Sequence, residues 1–112
     1  MVAVARYLPD DPKQKESVLA VLREHPELQD FIARVSEEAE SRFPDVHIAL
    51  DTVQYDEWDP PVRMLIHVTQ PWTEYRDAVD QFTHVIGIRP DYNRNLIFVM
   101  PMWAGPIESY IR

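Results

Sequence analysis

The side chains that could do chemistry in this sequence are few. His47 and Asp51 sit four residues apart, as do Arg63 and His67, and all four fall on the polar positions of two alternating stretches. If those stretches pair as strands, the four side chains point the same way. Cross-strand neighbours lie about 5 Å apart and diagonals about 7 Å, so a His-Asp-His-Arg cluster is within geometric reach. Such a cluster could hold a metal ion or perform acid–base chemistry, because imidazole titrates near neutral pH. Its bland counterpart is the solvated face of an antiparallel sheet, where polar alternates belong. The spacing matches no named ligand or catalytic motif. No catalytic residue, metal ligand or cofactor is therefore assigned. His25 precedes Pro26 between two helices, and His84 lies on a third helix with no ligand spacing to another histidine.

A second constellation is the run Tyr55-Asp56-Glu57-Trp58-Asp59-Pro60-Pro61. A Trp among acids at a hairpin tip has little to pack against in its own domain. Trp is enriched at binding hot spots and carboxylates suit a basic partner, so Asp56, Glu57, Trp58 and Asp59 form the candidate protein-interaction site. The alternative is a Trp58 folded back onto the domain. A calcium loop is not expected, because the Gly and the ligand spacing that shape one are missing. A third group, Phe98, Met100, Met102 and Trp103, is the candidate homodimer contact, with Ile107, Tyr110 and Ile111 following it.

Several chemistries lack a residue that they require. Gly occurs only at 87 and 105, so no phosphate-wrapping P-loop or dinucleotide fingerprint can form. There is no Gly-x-Ser-x-Gly elbow and no His-Glu-x-x-His. Zero Cys removes disulfides, thiolate zinc sites and cysteine nucleophiles.

Around these residues the elements can be placed. Asp11-Pro12 reads as an N-cap and first helical position, opening a helix over about 12–24 with Val18, Leu19 and Leu22 on one stripe. Pro26 breaks it and starts a second helix, where Leu28, Phe31, Ile32, Val35, Ala39 and Phe43 keep the 3.6-residue period. After Pro44 the period changes to two. Val46, Ile48 and Leu50 alternate with His47, Ala49 and Asp51; Val62, Met64, Ile66 and Val68 alternate with Arg63, Leu65, His67 and Thr69. An antiparallel hairpin follows, with Leu50 expected opposite Ile66 and Ile48 opposite Val68. Pro71 opens a third helix carrying Trp72, Tyr75, Val79, Phe82 and Ile86, with Gly87 as its C′ terminator. Leu96 to Met100 is a continuous apolar run, which predicts a strand buried on both sides. Residues 2–8 fit either an edge strand or a helical turn.

The expected fold is a two-layer α+β domain of order α-α-β-β-α-β, spanning residues 1–112, with helices on one face of a small mixed or antiparallel sheet. The sheet has three strands, or four if residues 2–8 join it. The chain of 112 residues suits one domain. Its 11 basic and 19 acidic residues give a net charge of −8. Residues 1–45 hold six bases and ten acids, and residues 46–112 hold five and nine, so each part carries −4. No basic stripe is available to displace counterions from nucleic acid or to hold an anionic membrane. No apolar run reaches the ~20 residues of a transmembrane helix. The expectation is a soluble cytoplasmic protein with a protein partner or a second copy of itself, as a homodimer. By function class it reads as a non-enzymatic interaction module of antitoxin, immunity or adaptor type. The alternatives are a small enzyme or metal binder using His47, Asp51, Arg63 and His67, and a self-associating structural domain.

Overall fold

Prolines and the change of hydrophobic period set the element boundaries in the computed structural model, which describes residues 2–105. α1 runs from Pro12 to Glu24, with the Asp11 carboxylate accepting the Gln14 N–H at 3.0 Å as N-cap. α2 spans Glu27–Arg42 and α3 spans Trp72–Gly87, each preceded by a proline. The strands are β1 (Val46–Asp51), β2 (Val62–Thr69) and β3 (Ile97–Gly105). They form one sheet of order β1-β2-β3, antiparallel between β1 and β2 and parallel between β2 and β3. Residues 2–7 form a 3-10 helix that buries Val4 and Tyr7, so among the described residues the sheet has three strands.

One face of the sheet meets the helices. Ile48 and Leu50 of β1, Val62, Met64, Ile66 and Val68 of β2 and Ile97 of β3 are buried against it. Val18 and Leu22 arrive from α1, Leu28, Phe31, Ile32, Val35 and Ala39 from α2, and Tyr75, Phe82 and Ile86 from α3. Phe43, at the end of α2, stacks 5.3 Å from Phe82 and 6.3 Å from Tyr75 between ring centroids. This is the α+β architecture that the periodicities predict.

Three local expectations are corrected. The β1–β2 register places Leu50 opposite Met64 and Ile48 opposite Ile66, two residues from the expected pairing. A period of two fixes which side chains share a face but leaves shifts of two open. Here the Asp51–Arg63 and Val46–Val68 pairs settle it. Gly87 is the last residue of α3, with Ile88 as the C-cap, and so is not the C′ terminator; among the described residues only Gly105 has positive φ, at 114°. The Gly87 carbonyl instead accepts a 2.7 Å hydrogen bond from Arg94 Nη2. Finally, β3 is not buried on both sides: Ile97 is fully buried, whereas Phe98 is 44% exposed.

β3 is an edge strand. Val62 N–H donates to Leu96 O at 3.3 Å, so the alternation of the strand turns the Ile97, Val99 and Pro101 backbone away from β2. Ile97 N–H donates to Asn93 O at 3.2 Å, and Val99 N–H to the Tyr92 hydroxyl at 3.0 Å. Pro101 has no N–H to offer. Tyr92 is itself held by Phe31, 5.0 Å away between ring centroids, and by the Arg94 guanidinium 4.4 Å above its ring.

Candidate functional site

No described helix lies over the second face of the sheet. Across β1, β2 and β3 it carries three rows: His47–His67–Met102, Ala49–Leu65–Met100 and Asp51–Arg63–Phe98. None of these residues is buried. The alternation of each strand creates the face, since the partners of these positions fill the core. The result is an apolar middle between two polar rows.

The four polar candidates do not converge into one cluster. His47 lies directly opposite His67, with ring centroids 6.1 Å apart, and Asp51 lies directly opposite Arg63. The Ala49–Leu65 row separates the two pairs, by four residues or about 13 Å along the strands. Arg63 donates to both Asp51 oxygens, Nε at 2.8 Å and Nη2 at 2.7 Å, in a fork-to-fork pair whose side chains are 19% and 15% exposed. The Val53 N–H adds a third donor to Asp51 at 3.2 Å. Burial pushes the Asp51 carboxyl up, but the Arg63 and Val53 hydrogen bonds and the Arg63 charge outweigh it and hold the group below its ordinary range. The hydrogen bonds to Asp51 in turn raise Arg63. A carboxylate held ionised by a bidentate guanidinium is poorly suited to take a proton near neutral pH. Among the described residues no group of three His, Asp or Glu side chains could hold a metal ion.

The hairpin tip joins this surface. Asp59 organises it: one carboxylate oxygen accepts the Tyr55 N–H at 2.8 Å and the Asp56 N–H at 3.0 Å. Asp56 accepts the Trp58 N–H at 2.9 Å, and Gln54 Nε2 donates to Asp59 O at 2.8 Å. These local bonds fold the loop without using its aromatic rings. Trp58 is 86% exposed and Tyr55 85%, so Trp58 does not fold back onto the domain. Tyr55 lies 5.9 Å from the Arg63 guanidinium. Between loop and sheet is a cavity of about 140 Å³ lined by Val53, Tyr55, Asp59, Pro60, Arg63, Phe98 and Met100.

Of the dimer candidates, Phe98, Met100 and Met102 lie on the open face and Trp103 does not. Trp103 sits on the helix side, edge-on to Trp72 at 5.2 Å, and its indole N–H donates to Gln70 O at 2.8 Å. Ile107, Tyr110 and Ile111 lie outside the described residues. Leu65 was not among the candidates from sequence, yet it occupies the centre of the face. Its signal was an apolar residue on the polar alternation of β2, between Arg63 and His67. Compared with known protein families, curated proteins and solved structures, the chain matches none.

Proposed function

We propose that this protein is a non-enzymatic interaction module that binds a basic protein partner through its hairpin tip and the adjoining open face of the sheet. The observation that carries this reading is the continuity of the two: exposed Tyr55 lines one cavity with Phe98 and Met100, and exposed Trp58 stands three residues further along the same loop. Aromatic and apolar side chains around a pocket are what a partner's anchor residue fills, and surrounding carboxylates steer a cationic surface toward it. The tip carries Asp56 and Glu57 on a chain of net charge −8. Nucleic acid fits less well, because Arg63 and Arg89 are each spent on a carboxylate, Asp51 and Asp91. No described helix is long and apolar enough to cross a membrane. Cytoplasmic residence and an antitoxin, immunity or adaptor role belong to the same proposal.

The test is capture of partners from the source cell lysate on immobilised protein, with Trp58→Ala and Glu57→Lys as controls. Glu57 is the acid to reverse, because Asp56 and Asp59 also hold the loop's backbone. Loss of the captured partner with Trp58→Ala, by about 2 kcal/mol or more, supports the reading. Equal capture by wild type and both variants overturns it.

A second reading is a two-fold homodimer through the same face, favoured by the half-exposed Phe98, Met100 and Met102 beside Leu65. Sedimentation at tens of micromolar decides it: a species of 13.2 kDa alone removes the dimer.

A further inference from the structure

The row at the other end of the open face has chemistry that a protein-docking role does not use. His47 and His67 are cross-strand partners, and His67 is in turn paired with Met102 of β3. The two imidazole rings are 6.1 Å apart between centroids and tilted by 32°. Among the described residues neither makes a hydrogen bond or ion pair, so no described side chain competes for their ring nitrogens. With metal–nitrogen distances of about 2.0 Å, two imidazoles sharing one ion have centroids at most about 6.3 Å apart, which the observed separation satisfies. Met102, 38% exposed, brings a thioether from the next strand, about 4.8 Å away in the hydrogen-bonding direction. Met100 follows two positions earlier on the same face.

Among the described residues no carboxylate completes this set. Asp51 is about 13 Å away and bound to Arg63. Glu40, which borders His47 across a neighbouring cavity, is paired with Arg6 at 3.2 Å. Hard cations prefer oxygen ligands, and zinc sites take Cys, His or carboxylate. Two neutral imidazoles and a thioether make a soft, uncharged donor set, which selects a monovalent copper ion. We propose that His47, His67 and Met102 form a Cu(I)-binding site on the open face of the sheet.

The site is tested by titrating the full chain with Cu(I) anaerobically against a chromogenic chelator. One ion per chain is expected. Met102→Leu should weaken Cu(I) binding by about tenfold or more, the scale on which a weakened metal shell registers, while leaving any weaker Zn(II) binding by the two histidines unchanged. Replacing both histidines by Ala should abolish both. None of the three side chains is buried, so these variants retain the core. An independent readout needs no variant: with methyl-labelled methionine, one equivalent of Ag(I) should shift the Met102 methyl resonance and leave that of fully buried Met64 in place. An unmoved Met102 methyl, a shift confined to another methionine, or Cu(I) affinity equal in wild type and Met102→Leu would each overturn the proposal.

Discussion

The two faces of one sheet are built by the same three strands and differ in what ends up against them. On the covered face every contributing side chain of β2 is apolar, and Val62, Met64, Ile66 and Val68 are fully buried. On the open face β2 offers Arg63, Leu65 and His67, all only partly covered. The first face carries the stability of the domain. The second mixes apolar area, one ion pair and two imidazoles, and outside the Asp51–Arg63 pair it adds little to folding. Apart from that pair, large effects on stability should therefore separate from large effects on binding according to the parity of a residue in its strand.

The largest expected loss is on the covered side. Phe31→Ala should cost about 3–5 kcal/mol in urea unfolding, from lost transfer energy and the cavity left among Ile32, Tyr92 and their neighbours. A loss under about 1 kcal/mol would break the comparison. Next comes Arg63→Ala, which strands the partly covered Asp51 carboxylate and should cost about 1–3 kcal/mol. The same pair sets an acid dependence. Asp51 and Asp91 both titrate below their ordinary range, so the folded chain holds fewer protons than the unfolded one. Their contribution is complete above the unfolded carboxylate range near pH 4 and declines as pH falls through the lower folded values. Unfolding midpoints measured downward from pH 5 should fall more steeply in wild type than in Asp51→Asn; equal slopes would remove the pair as a contributor. Phe98→Ala should cost under about 1.5 kcal/mol, since only part of its ring is covered. Smallest of all is Trp58→Ala, expected within about 0.5 kcal/mol of wild type by thermal melting. A loss of several kcal/mol there would mean that the tip is part of the core.

The same contrast explains what could be read from the residues alone. The covered face was legible because burial imposes a period: the stripe of α2 from Leu28 to Ala39 and the alternation of β1 and β2 have one packing solution each. The helix boundaries were legible because Pro12, Pro26 and Pro71 act locally through their missing N–H and fixed φ. The open face was legible only by parity. His47, Asp51, Arg63 and His67 could be placed on one surface. Whether they met depended on a register that alternation fixes only to within two residues, and on a partner for Asp51 that only pairing reveals. β3 misled for a related reason. Leu96 to Met100 is apolar at every position, so the sequence holds no sign of which alternate faces outward. Trp103 and Phe98 then look like one group, although an odd separation along the strand, five positions, puts them on opposite faces.

The outer edge of β3 bears on how this protein behaves when crowded. A fibril grows when an incoming strand finds a row of outward amide donors to ladder onto. Along Ile97 to Pro101 that row is closed: Asn93 takes one donor, the Tyr92 hydroxyl takes the next, and the third position is a proline. The most apolar strand of the molecule is thus denied the backbone pattern that would let it recruit copies of itself. Tyr92 is then a gatekeeper whose work is invisible in the monomer. Removing its hydroxyl in Tyr92→Phe leaves the Phe31 stack in place but reopens one rung at Val99, and the same strand that carries Phe98 and Met100 would begin to present a seam for strand-by-strand growth.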